Sequence, residues 1–479
     1  MKHFYCILSA FIIGIGTGFS QNRYTDLVER MSFYSTDSYR AAVNDLKQKF
    51  PGTYHPGDKW EKALGELEQN RKAYTDGLQQ QDAKIEKKVV RLLDCLDAAL
   101  LANPLLEGKK VVAIKRELGK NDRKAMSRQL GIAPSNFQNN SEISNPQKGW
   151  NNQFVVLKPE DGKVLQDELY SPPAGMIVSD PEPYFDGTKL MYSSIGTSNR
   201  WHLFELDVRT GQTRQLTPDT YKDFDSFDGC YTPEGNYIFC STGTFLGLPC
   251  TNGGNKMCGL FSYNPKTSQT RQLTYDQDSN WGPVMMENGT VLYQRWEYAD
   301  LPHSNSRIMF TMNPDGTTQT SFYGSNSYFP TSFFNARPIP GKPSCIVGIA
   351  TGHHSVSRSG RLLIIDTRLG RHEAEGVVAE ISYAGRKVEP LVRDRLPDGV
   401  WPQFLQPFPL NENYYVVSMK NSPQSLWGVY LVDRFNNRTL IASEEGYCYL
   451  EPVLLEPVKK PAVIPNRVDM TKQTATVFL

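Results

Sequence analysis

DPEPYFDGTKLMYSS (residues 180–194) followed by WHLFELDVRTGQTRQLT (201–217) decides the fold, because the chain then repeats the phrase. A polar-aromatic lead-in ends in a Gly turn, an alternating strand follows, then a second strand, and the unit closes on Arg-Gln-Leu-Thr. The second copy is DSFDGCYTPEGNYIFCST (225–242) with GLFSYNPKTSQTRQLT (259–274), and a looser third is SNWGPVMMENGTVLYQRW (279–296) with RIMFTMNPDGTTQTSFY (307–323). A repeat of roughly 45–50 residues carrying four short strands is the signature of a β-propeller blade. Working outward, strands at 329–337, 344–350 and 361–366 predict a fourth unit, and those at 401–410, 414–419 and 428–432 a fifth. Strands near Gln153 and Val164, joined by 447–455, predict a sixth built from both ends of the propeller segment. That arrangement closes the ring and leaves no open sheet edge. The expected fold is mainly β, a six-bladed β-propeller with an N-terminal α-helical cap.

The 479 residues exceed one ordinary core, so more than one region is expected. With 52 basic and 51 acidic side chains and no basic block, the chain lacks the electrostatic footprint of a nucleic-acid binder. Lys2 and His3 precede an apolar run over 4–18, and small residues lead to Gln21, so residues 1–20 read as a signal peptide cleaved after Ser20. The run is short for a membrane span, which disfavours an uncleaved anchor. Nothing beyond it predicts a transmembrane segment. The expected location is therefore outside the cytoplasm, periplasmic or extracellular.

Residues 21–118 form the predicted helical region. Trp60, Leu64, Leu67, Tyr74 and Leu78 share one helical face, and Ile85, Val89, Leu92, Leu93, Leu96 and Leu100 share another. A small cap packing on the propeller is preferred to a separate ligand-binding domain. A single strand is allowed at 111–114. Residues 119–150 read as a polar connection, 151–456 as the propeller, and 457–479 as a Pro- and Lys-rich tail without strand partners.

Seven cysteines remain beyond residue 20, an odd number. The favoured bridge is Cys250 to Cys258, closing the loop PCTNGGNKMC; with no Cys-x-x-Cys pair, a cysteine metal site is the weaker reading.

Several longer phrases carry a resemblance that single turns do not. They are ALLANPLL (99–106), RWHLFELDV (200–208), DGCYTPEGNYIFCST (228–242) and QLTYDQDSNWGPVMMENGTVLYQRWEYADLPH (272–303). Further along come GSNSYFPTSFFNARPIPGKP (324–343), GHHSVSRSG (352–360), RHEAEGVV (371–378), KVEPLVRDRL (387–396), SPQSLWGVYLVD (422–433) and PAVIPNRVD (461–469). Together they resemble bacterial proteins related to the hydrazine synthase alpha subunit, in particular its middle domain, a PD40, WD40-like or TolB-like β-propeller. The resemblance covers most of the chain beyond residue 20. It implies the fold. Larger relatives continue into a domain with a Cys-x-x-Cys-His haem site, and this sequence contains no such motif, so a c-type haem is not expected. A shortened or split version of a longer haem-bearing protein is one expectation.

Two constellations are candidates for chemistry. His303, His353 and His354, with Glu297 and Tyr298, lie in or beside predicted interstrand loops, and such donors together suit a transition metal or a non-covalent haem. The competing reading is loop hydrogen bonding and inter-blade aromatic packing. Asn199, Arg200 and Trp201 with Arg337 and Arg358 form the second set, a pocket for an anion or polar ligand, against a reading as structural ion pairs. Asp223, Asp225 and Asp228 lack the glycine and glutamate of a calcium loop and are expected to cap turns. No nucleophile elbow, phosphate loop or zincin motif occurs. The favoured function is a scaffold of the cell envelope that holds a small ligand on a propeller face, or a protein partner. The alternative is a redox subunit.

Overall fold

The computed structural model describes residues 17–118, 149–220, 222–248, 252–253, 256–297, 307–352, 358–382, 387–472 and 474, with side chains from residue 23. The signal-peptide reading falls almost wholly outside them, and the polar connection is outside from 119 to 148.

The β-rich body is a propeller arrangement of antiparallel meanders. Strands β1 (Val111–Glu117), β2 (Asn152–Glu160) and β3 (Lys163–Tyr170) begin it. Two four-stranded sheets follow: β4 to β7 (Ser179–Pro183, Lys189–Ile195, Trp201–Asp207, Thr213–Gln215) and β8 to β11 (Ser226–Tyr231, Tyr237–Ser241, Gly259–Asn264, Gln269–Gln272). Next is an eight-stranded sheet. Its first half is β12 to β15 (Asn280–Met285, Val291–Trp296, Arg307–Met312, Thr320–Tyr323), and its second is β16 to β19 (Ser332–Ile339, Lys342–Thr351, Arg361–Asp366, Val377–Glu380). The halves meet through one parallel pair, Arg307 with Ser332. Strands β20 to β23 (Gln403–Pro409, Tyr414–Lys420, Gly428–Asp433, Arg438–Ala442) form another four-stranded sheet. Finally β24 (Tyr447–Leu454) pairs with β1 in the order β24-β1-β2-β3, so the two ends of the propeller segment share one sheet, as its sequence predicts. Strand β1 thereby joins the propeller from within the region expected to be helical. Its first four residues are fully buried, which a lone connecting strand would not achieve. The first strands of the meanders, β4, β8, β12, β16, β20 and β24, neighbour one another in turn, and β24 returns to β4.

The repeated Arg-Gln-Leu-Thr tail has a physical job. Thr217 Oγ1 accepts the Leu203 N–H at 3.1 Å while the Gln215 amide donates to the Thr217 carbonyl at 2.8 Å. In the next sheet Thr274 Oγ1 accepts the Leu260 N–H at 2.9 Å, and Gln272 donates to the Thr274 carbonyl at 2.7 Å. Leu216 and Leu273 are buried between these polar groups. The motif ends the outer strand and satisfies an N–H where the ladder stops. Thr274→Val keeps the shape and orphans the Leu260 N–H, so a loss of about 1–3 kcal/mol is expected in chemical denaturation. An unchanged midpoint would remove this role from the motif.

Four helices precede β1: α1 (Thr17–Met31), α2 (Thr36–Lys49), α3 (Lys59–Gln79) and α4 (Ala83–Leu101). The faces predicted on α3 and α4 are buried, apart from the half-buried Ile85. Helix α1 lies largely within the region predicted helical, although its buried apolar positions, Leu27 and Met31, are too few to trace a face in sequence. The helices pack against the flank made by β20 to β23. Tyr414 donates to Asp45 at 2.8 Å, Asn437 donates to the Ser38 carbonyl at 3.0 Å, and the Tyr34 oxygen accepts from the Thr439 hydroxyl at 3.3 Å.

Among the described residues the segment after β24 has no strands but is bonded to the hairpins it crosses. The Val458 N–H reaches the Phe185 carbonyl at 2.7 Å, Ala462 the Glu287 carbonyl at 3.0 Å, and Arg467 the Asp315 carboxylate at 2.7 Å. Gly289 (φ +89°) permits the crossing, since a Cβ there would stand 2.2 Å from the Ala462 carbonyl oxygen. The tail over residues 457–468 is thus strandless yet tied to the propeller by backbone groups.

Candidate functional site

The first strand of each meander breaks register, β16 at a second place as well, between Pro338 and Ile339. The bulges fall between Ser179 and Glu182, Phe227 and Gly229, Trp281 and Val284, Phe334 and Arg337, and Leu405 and Phe408, and opposite Val112 and Ile114 on β24. At the centre of each stands a residue with positive φ: Asp180 (52°), Asp228 (48°), Gly282 (57°), Asn335 (50°), Gln406 (40°) and Glu451 (54°). A bulge turns one extra residue out of the ladder, and here it aims at the middle of the ring. Left-handed backbone suits Gly, and Asp and Asn tolerate it, but Gln406 and Glu451 gain no such relief; strain of order 1 kcal/mol each is the expected cost. Such strain gathers where function needs it.

All six residues line one pocket of about 750 Å³, its open mouth included. Arg358, from the segment leading into β18, and Arg337 and Glu182 complete its charged lining. Gly282 leaves room, because a Cβ there meets nothing closer than Asp228 Oδ2 at 4.0 Å.

Glu451 is buried and accepts the Ser179 hydroxyl at 3.0 Å and the Asp180 N–H at 2.5 Å. Burial, its largest influence, raises its pKa above the ordinary value, although Arg116 opposes the shift. Asp180 is also raised, by burial first and by the Glu451 charge second. Asp228, whose N–H bonds Ser193 Oγ at 2.9 Å, is pushed up to about 8 by burial and then by Asp180. The three carboxyls therefore hold fewer than three charges at neutral pH. Asp180 Oδ2 and Gln406 Oε1 are buried and accept no hydrogen bond from the described residues.

The expected site residues divide. Arg337 and Arg358 both line the pocket. Arg337 is ion-paired to Glu182 at 2.8 Å and stacks over Phe408, and Arg358 lies over the Phe334 ring at 5.7 Å. Asn199, Arg200 and Trp201 do not join them, which corrects that grouping. Asn199 has φ +60° in the β5–β6 turn, Arg200 donates to the Lys222 carbonyl at 3.0 Å, and Trp201 is buried with its N–H on Asp225 at 3.2 Å. These are the contacts of a turn closing onto the next sheet. Asp225 therefore bonds across to the preceding sheet rather than capping its own turn, and Asp228 faces the ring.

Tyr298, His303, His353 and His354 lie outside the described residues, as does Cys250. Glu297 accepts the Ser325 hydroxyl at 3.4 Å. Cys258 is a free, buried thiol 3.4 Å from the Asn280 carbonyl. His202 bonds Ser198 through Nε2 at 3.0 Å and Thr217 through Nδ1 at 2.9 Å, with Asp219 on the Nε2 side at 3.4 Å. A nucleophile triad needs the carboxylate on the opposite nitrogen, so this cluster is structural. Among the described residues no group of three His, Cys, Asp or Glu side chains could hold a metal ion.

The ring carboxylates were missed, yet a signal exists. In four of six inner strands the bulge residue is followed by Pro (Asp180-Pro, Gly282-Pro, Gln406-Pro, Glu451-Pro), and Pro inside a strand marks a bulge.

A propeller with an axial polar pocket is the class these features define. No family model matches the chain, and no curated protein matches it. Among solved structures, hydrazine synthase from Kuenenia stuttgartiensis is similar with a TM-score of 0.54 at 13% identity over 74% of this chain and 48% of that one. This chain thus spans about half the length of that protein, and the likeness shows the fold. TolB from Acinetobacter baumannii aligns over 78% of this chain and 73% of its own at 12% identity, with a TM-score of 0.41. A putative TolB from Agrobacterium tumefaciens aligns at 12% identity over 57% and 90%, with a TM-score of 0.37.

Proposed function

We propose that the chain is an exported, six-bladed propeller scaffold of the cell envelope that holds a small polar ligand on its axis. Counting the eight-stranded sheet as two blades gives six, each contributing one bulge residue to the pocket. The observation that carries the reading is this convergence: six separate register breaks deliver six side-chain positions to one cavity, at a cost in backbone strain. Packing alone has no use for such a ring. Export rests on the N-terminal segment, and N-terminal sequencing of the protein from its native envelope should begin at Gln21. The described helices span no membrane: none is long and apolar enough. The redox alternative, with a metal or non-covalent haem, rests on His303, His353 and His354; the pocket favours the scaffold reading.

Filling the axis tests it. Gly282→Phe is expected to fold, with melting close to that of Gly282→Ala, and to lose a small molecule that native mass spectrometry finds on the wild-type protein and on Gly282→Ala. Retention of the same molecule by Gly282→Phe would place binding elsewhere.

A further inference from the structure

Five of the six ring positions (Asp180, Asp228, Asn335, Gln406 and Glu451) carry an acceptor oxygen, and the sixth is Gly282. Four carboxyls line the pocket, those of Asp180, Glu182, Asp228 and Glu451, against two guanidinium groups, Arg337 and Arg358. Arg337 is already matched by Glu182. What remains is an excess of acceptors and of potential negative charge on the axis. Two buried acceptors there, Asp180 Oδ2 and Gln406 Oε1, find no donor among the described residues. Buried acceptors are rarely left so, and a ligand that brings N–H groups satisfies them.

An anion is a poor match, because it would meet the carboxyls of Asp180, Asp228 and Glu451 with Arg358 as its main counter-charge. A bare metal ion is a poor match as well. No three carboxylate, imidazole or thiolate groups among the described residues gather closely enough to ligate one. A neutral polyol supplies donors but leaves the carboxyl charge uncompensated. A protonated amine supplies both donors and charge.

We infer that the axial pocket takes an organic cation, an alkylammonium whose N–H groups are shared among Asp228, Asp180, Gln406 and Glu451. The inference rests on the axial pocket being the binding site. It has a consequence for protons. The cation favours the ionised carboxyls, so binding expels the protons that burial retains on Asp228 and Asp180. The charges facing these groups are Glu182 on β4, Arg337 on β16, Arg358 before β18, Glu451 on β24 and Arg116 on β1. Affinity for the amine should rise with pH toward 8.

Three probes with one carbon skeleton make the test: 1,4-diaminobutane, 1,4-butanediol and succinate, titrated calorimetrically into the full chain at pH 6, 7 and 8. The expected result is that only the diamine binds well, more tightly at pH 8 than at pH 6, with proton release visible as a dependence on buffer ionisation heat. Asp228→Asn should weaken it by about tenfold or more, and Arg358→Gln should tighten it, opposite signs that a general loss of structure does not produce. Succinate binding that Arg358→Gln abolishes would overturn the cation and keep the pocket. Diamine binding indifferent to both substitutions, or no binding by any probe, would overturn the cation inference; only the first also removes the pocket as its site.

Discussion

Arg30→Ala should cost the fold about 3–5 kcal/mol at pH 7, the largest effect of any single substitution considered for the helical layer. Asp97 of α4 is buried at 8% exposure, bonded by Arg30 at 2.5 Å and by the Tyr34 hydroxyl, whose oxygen in turn accepts from the Thr439 hydroxyl on β23 at 3.3 Å. This cluster joins α1 and α4 to the propeller flank. Burial lifts the Asp97 carboxyl above its ordinary pKa even with Arg30 beside it. Removing Arg30 strands the charge, and the carboxyl escapes the penalty by taking a proton. The folded state then holds a proton that the unfolded state releases, so stability falls as pH rises above the ordinary carboxyl range. The loss should be smaller at pH 5 than at pH 7. Arg30→Met paired with Asp97→Asn should recover much of it. Denaturant unfolding followed by helical circular dichroism reads both, and a loss under about 1 kcal/mol at pH 7 would mean that the cluster does not tie the layers together.

The second large effect concerns Asp228 and has the opposite sign. Its folded pKa of about 8 lies above the unfolded value of 3.8, so the native protein keeps a proton that the unfolded chain gives up between those limits. Stability contributed by this group is complete below pH 4 and is lost as pH rises toward 8. Asparagine keeps the shape, tolerates the left-handed backbone at φ +48° and cannot ionise. Asp228→Asn should therefore gain about 1–3 kcal/mol over wild type at pH 8 and nothing at pH 4, a range set below the full 1.36 kcal/mol per pKa unit because the site opens to solvent. A variant more stable by the same amount at both pH values would mean a packing effect. The same change is expected to weaken amine binding, so the strain and charge held on the axis are a stability cost retained for function.

The blades were legible because their signal is local and repeated. Alternation in LMYSS, a Gly turn and Arg-Gln-Leu-Thr each report on a few adjacent residues, and the copies confirm one another. Strands β20 to β22 could be placed by pattern alone, and so could β24 beside the early strands. What the pattern withheld was convergence. Asp180 and Glu451 are 271 residues apart, and nothing in either neighbourhood says that one carboxylate accepts the other's N–H. Arg200 looked like a pocket residue because it is charged and loop-borne, but it donates to the Lys222 carbonyl. Arg358 has the same appearance and does face the axis. Only the ring geometry separates them. The tail after Glu456 is opaque for a similar reason, since its partners are scattered carbonyls and single side chains of the hairpins it crosses, such as Asp315, and form no pattern in sequence.

The most direct test of the axial site is a crystal structure of the full chain grown at pH 8 with 1,4-diaminobutane. The account predicts ligand density inside the ring, with a nitrogen within hydrogen-bonding distance of Asp228 and of Glu451 or Gln406. An empty axis with the diamine bound elsewhere, or an axis closed by the protein's own side chains, would contradict it.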